Sequence, residues 1–141
     1  MKLLLRGVEA YGIGKQAQTE EDFHRIAEAE GIEVIWSKEK FSFYFTMLGH
    51  HFIVLPKRRH GLKLLFAMFH EFGHYFAHVG DDPQVAFLSD AHTKDEAEAD
   101  AVALVALMPK HEIMSNAFFD GSRFGGQLYN ERVRLHFLYG I

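Results

Sequence analysis

The sequence predicts an α+β fold, with a small antiparallel-type sheet of about three strands packed on a helix bearing a His-Glu-x-x-His motif and further helices C-terminal to it. Three observations lead there. Strand-like alternation is confined to one block, from "IEVIW" through "FSFYFTMLGHHFIVLP". Helical patterns stand on both sides of that block, and no segment repeats. With 141 residues the chain can bury one real core and is too short to argue for two. One domain over residues 1–141 is therefore expected, with 1–18 a poorly defined N-terminal segment.

The elements follow in order. "TEEDFHRIAEAEG" reads as a helix capped by Thr19, acidic in its first turn, with Phe23, Ile26 and Ala27 as its buried stripe and Gly31 at its end. "IEVIW" is a short strand with Ile32, Val34 and Trp36 on one face. Two strands then meet around Gly49. Phe41, Phe43 and Phe45 alternate on the first, an apolar run from Phe52 to Leu55 forms the second, and Pro56 closes it. A helix from about Gly61 to His78 carries the motif, and "VGDDPQ" breaks the chain behind it. Another helix runs from about Thr93 to Met108, and Pro109 is placed to open the next, through "KHEIMSNAFF". "DGSRFGG" is a loop, and "QLYNERVRLHFLYG" is a last helix with Val133, Phe137 and Leu138 turned inward.

Composition removes several function classes. Apolar residues make up 48% of the chain, which excludes a disordered chain. A net charge of −4 argues against a general nucleic-acid binder, so no direct nucleic-acid contact is expected. There is no cysteine, so any metal must rest on His, Asp and Glu. "MKLLLRGVEA" is too short in apolar residues for a signal-peptide core, and no stretch approaches the ~20 needed to cross a bilayer. A cytoplasmic protein without membrane contact is expected.

The chemistry is concentrated in "FHEFGHYFAH". On a helix, His70 and His74 stand one above the other and present two imidazoles to one point. Glu71 lies about 100° round the helix, in reach of a water on a metal without being a ligand itself. Zinc lowers the pKa of such a water towards ~7, and Glu71 can take its proton as general base. A helix that is merely rich in histidine would show the same spacing. Its setting argues otherwise: Phe66, Ala67, Phe69, Phe72 and Phe76 make the surroundings apolar, where two histidines and a glutamate are costly without a partner. Gly73 costs about 1 kcal/mol against alanine inside a helix and so signals close approach of something to the backbone there.

The third ligand decides the class. A third histidine ten positions after the first is absent, because that position is Gly80. His78 lies about 12 Å along the axis from His70 and suits packing or hydrogen bonding better than coordination. "KDEAEADAVALVALMP" offers carboxylates. Glu96 and Asp100 share one face, with Glu96 the candidate third ligand and Asp100 placed to orient a ligating imidazole. Thr93 to Glu96 also fits a capping box, in which Glu96 would turn back to the helix start, whereas a cap a turn earlier at Ser89 or Asp90 would free it. Tyr75, His92, His111, Tyr129 and His136 are candidate oxyanion donors that no spacing rule separates. "GHH" at 49–51 reads as a hairpin turn, and "PKRRHGLK" as a solvated loop whose cations could hold an acidic partner. If a hairpin strand forms the sheet edge beside the site, a substrate could bind as an added strand.

Together, "HEFGHYFAH", "EAEADAVALVALMP", "GIEVIW" and the closing "RVRLHFLYGI" resemble the ImmA/IrrE family of zinc metallopeptidase-like proteins, from about residue 19 to the C-terminus. Phe72 stands where leucine is usual. The resemblance implies a zincin-like fold and a gluzincin-like site: His70, His74 and Glu96 as zinc ligands, Glu71 as base and Asp100 in support, with manganese as an alternative ion. It also implies a protein substrate, a helix-turn-helix transcriptional repressor, cut to relieve repression under stress. The alternative is a metal-binding regulator that grips its repressor without cleavage, and a third is a structural domain without metal.

Overall fold

The computed structural model describes residues 10–80, 89–115 and 126–141, with side chains at 10–77, 96–113 and 126–141. The described elements run α1 (Glu20–Glu30), β1 (Ile32–Ser37), β2 (Phe43–Met47), β3 (His50–Pro56), α2 (Gly61–Gly80), α3 (Ser89–Leu107), α4 (Lys110–Ser115) and α5 (Gly126–Tyr139). The architecture is α+β, as expected. The "DGSRFGG" loop up to Gly125 and the side chains of His78 and His92 lie outside the described residues.

Local chemistry sets α1. Thr19 Oγ1 accepts from the Asp22 amide while Asp22 accepts from the Thr19 amide, a reciprocal cap that satisfies two otherwise orphaned donors. Gly31 ends the helix in a left-handed conformation, and Phe23, Ile26 and Ala27 are buried. Phe23 stacks on Phe72 at 4.6 Å and so seats α1 on α2.

The sheet has three strands in the order β1-β3-β2. β2 and β3 form the expected antiparallel hairpin, turning at Leu48 and Gly49 with φ of 51° and 80°, as a two-residue turn of this hand requires. β1 joins β3 in parallel, so the sheet is mixed. The physical reason is burial. β3 holds the continuous apolar run, and Ile53, Val54 and Leu55 are all buried, which only the middle position provides. Among the described residues β2 lies at an edge of the sheet, and Phe41 falls before it as an exposed loop residue.

The core is completed by α2 against α3. A Cβ on Gly73 would lie 2.5 Å from Ala99 Cα, so the two backbones touch where the sequence places its lone mid-helix glycine. Ala99, Ala103 and Ala106 are fully buried, continuing the close approach along α3.

The last helix departs from expectation. Phe137 is 79% exposed and Leu138 56%, whereas Leu135 and Arg132 are buried. The inward stripe contains an arginine, whose Nε donates to the Met108 carbonyl at 2.6 Å and Nη1 to the Ile141 carbonyl at 2.9 Å. A hydropathy pattern cannot show that an arginine is anchored in this way. No described helix is long and apolar enough to cross a membrane.

Candidate metal centre

Two helices build the site. α2 supplies His70 and His74 from adjacent turns, and α3 supplies Glu96 and Asp100 from the facing side. His74 Nε2 lies 2.8 Å from Glu96 Oε1, His70 Nε2 lies 3.3 Å from Glu96 Oε2, and the two Nε2 atoms are 3.1 Å apart. Donor atoms of His70, His74 and Glu96 all fall within 4.8 Å of one another, a group that could hold a metal ion. The donor set fits that role. Two imidazole nitrogens and a carboxylate crowd one point, where a cation satisfies all three lone pairs at once.

Glu96 reaches this point because α3 starts at Ser89, about two turns earlier. Glu96 therefore sits in the helix body and not at the third position of a capping box. Asp100, one turn on, lies 2.8 Å from His70 Nδ1 and fixes that ring with Nε2 towards the centre. Burial alone would lower the His70 pKa. The hydrogen bond to Asp100 and the charges of Glu71, Asp100 and Glu96 outweigh it and hold the imidazole above its usual value.

Glu71 is buried on the sheet side of α2. Its Oε1 accepts from Ser42 Oγ at 3.0 Å, while its Oε2 is buried without a hydrogen-bond partner among the described residues. Burial pushes its pKa up to about 6, against the opposing pull of His70, Ser42 and Arg59. Ser42 is a site residue that sequence reasoning misses. It stands 29 positions from Glu71 in a loop before β2, and no local pattern joins the two.

The Tyr75 hydroxyl donates to Glu30 Oε2 at 2.9 Å, which commits it to α1. His111 and His136 are not among the metal donors of the His-His-Glu group. His51 Nδ1 lies 2.6 Å from the Tyr44 hydroxyl, as part of the hairpin and not of a second metal group among the described residues. An open cleft of about 590 Å³ between α3 and α5 adjoins the centre at Phe66 and Asp100.

A family model described as Peptidase_M78, IrrE N-terminal-like domain, matches residues 27–133. No curated protein and no solved structure matches the chain. The matched span contains His70, Glu71, His74, Glu96 and Asp100 and runs from the end of α1 into α5. Covering well over half of the sequence, it establishes that the chain belongs to the Peptidase_M78 family of IrrE N-terminal-like domains.

Proposed function

We propose that this protein is a cytoplasmic, zinc-dependent endopeptidase that hydrolyses a peptide bond in a helix-turn-helix transcriptional repressor. His70, His74 and Glu96 hold the ion, for which manganese is the alternative. One observation carries the reading: three donors converge beside a buried glutamate whose Oε2 has no hydrogen-bond partner among the described residues. The repressor as substrate follows from the resemblance of the motifs to the ImmA/IrrE family.

When bound, the ion supplies Lewis acidity to a water and to the scissile carbonyl. The remaining work falls to side chains of the chain itself. Asp100 holds the His70 ring through Nδ1, which keeps Nε2 directed at the centre. Ser42 holds Glu71 through Oε1, which leaves Oε2 to take the proton from water and pass it to the leaving amine. A pKa raised to about 6 suits this, because Glu71 is ionised at neutral pH yet more basic than an exposed carboxylate.

The test is incubation of the zinc-loaded protein with a candidate helix-turn-helix repressor, sought first in the neighbouring reading frames. A discrete pair of fragments is expected, lost with a chelator and lost in Glu71→Gln even though that variant retains zinc by elemental analysis. A stable complex with no fragment would instead mark a regulator that binds without cutting. Neither complex nor fragment would remove the repressor as substrate.

A further inference from the structure

Lys38, Lys40, Lys57, Arg58, Arg59 and Lys63 fall in two loops and one helical turn that the fold brings together. Ser37 pairs with Pro56 across β1 and β3, and the Lys57 amide donates to the Ser37 carbonyl at 2.8 Å. Arg59 Nη2 donates to the Lys40 carbonyl at 2.6 Å and ties the loop after β1 to the loop before α2. The first turn of α2, where Lys63 sits, carries no acid. Of the chain's 15 Lys and Arg, six are here with Glu39 as the one acid, so the patch carries +5 in a chain whose net charge is −4.

Apart from Arg59, these cations are given no hydrogen bond by the fold among the described residues. Five of the six are exposed and Arg59 is half-buried, and none enters an ion pair with a carboxylate among the described residues. Holding like charges together without compensation is unfavourable, so the patch is in place for something it meets. Its position names the occasion. Arg59 is near enough to act on the Glu71 carboxylate, and Ser42, which bonds Glu71, lies two residues beyond Lys40. The patch therefore lies next to the Phe43 end of β2, an edge strand among the described residues, beside the Ser42 that bonds Glu71.

We infer that this patch selects the protein substrate: the segment cut at the centre carries acidic residues on one flank of the scissile bond, seated on Lys40, Lys57, Arg58 and Lys63. The inference rests on the reading of the centre as a peptidase site. A segment paired with the β2 edge meets the cations at one end only, so the acidic flank also sets the direction in which the chain enters. A protein segment fits better than a nucleic acid. The cations stand beside the loop from which Ser42 bonds Glu71, in a peptidase-family domain, and the rest of the chain is strongly acidic and would repel a longer polyanion.

The experiment measures fluorescence anisotropy of labelled peptides that share one apolar centre and differ in one flank: glutamate-rich, glutamine-rich or lysine-rich. A single-stranded oligonucleotide of similar length is the fourth probe. The zinc-loaded Glu71→Gln protein is used so that the peptides stay intact. The glutamate-rich peptide is expected to bind roughly tenfold more tightly than the glutamine-rich one at low salt, with the advantage lost at high salt. The advantage is also expected to vanish in the triple variant Lys57→Glu, Arg58→Glu, Lys63→Glu, which changes only exposed side chains and keeps its binding of the glutamine-rich peptide. Equal binding of the three peptides overturns the inference, as does an oligonucleotide that displaces the glutamate-rich peptide. The two readings fail separately. Selective acidic binding by a protein that cuts nothing removes the peptidase and keeps the patch, whereas a repressor cut by a protein with no acidic preference does the reverse.

Discussion

Glu71 is the residue on which chemistry and stability pull in opposite directions. Its Oε2 is buried without a hydrogen-bond partner among the described residues, and its pKa is pushed up to about 6 from 4.5. A raised folded-state value means that the native protein binds this proton more tightly than the unfolded chain. The metal-free protein therefore keeps the full contribution of this group below about pH 4.5 and loses it as pH rises through about 6. The loss is about 2 kcal/mol for a shift of this size. Glu71→Gln is neutral at every pH, so urea unfolding of the metal-free variant is expected to show that much added stability at pH 7 and a flatter dependence between pH 4 and 7. Equal stability of variant and wild type at pH 7 would contradict it. The glutamate itself was legible from the His-Glu-x-x-His spacing. Its partner Ser42 was not, because a serine 29 residues away leaves no periodic trace and only the sheet brings it near.

At the scale of elements, the contact of α2 with α3 forms the centre, and Gly73 forms the contact. The sequence marks that glycine as a point of close approach, and the structure identifies what approaches: Ala99, whose Cα would stand 2.5 Å from an added Cβ. Gly73→Ala should gain about 1 kcal/mol in helix propensity and lose more than that to the clash with backbone. Displacing α3 also moves Glu96 away from His70 and His74. A zinc titration should then show affinity reduced by at least tenfold alongside a lower melting temperature, while unchanged affinity would mean that Glu96 is not held by this contact. The α1 cap and the hairpin turn were legible because each is decided within a few residues by side-chain hydrogen bonding or backbone sterics. The parallel pairing of β1 with β3 was not, since strand order depends on which strand needs cover on both faces.

For the whole molecule, Arg132 joins the far end of α3 to α5. It is fully buried, and it bonds the carbonyls of Met108 and Ile141. Burial pulls its pKa down to about 10, so it remains charged at neutral pH. Arg132→Ala would leave two carbonyls without their donor and a void between helices, at a cost of about 3 kcal/mol. Unfolding by denaturant should report that loss while zinc affinity per folded molecule stays unchanged, because the residue lies away from the His-His-Glu group. What the sequence determined alone were the features written in short-range periodicity: one strand block, the helix carrying His70, Glu71 and His74, the caps of α1, and the placing of Glu96 and Asp100 on a common helical face. Tertiary structure alone decided that α3 begins early enough to present Glu96 to the histidines, that Ser42 and Arg59 reach Glu71, that β3 takes the middle of the sheet, and that an arginine faces inward on α5 while Phe137 does not. The division has one physical cause. Periodicity reports which face of an element is apolar, but a polar group's place depends on the partner that meets it, and those partners come from distant parts of the chain.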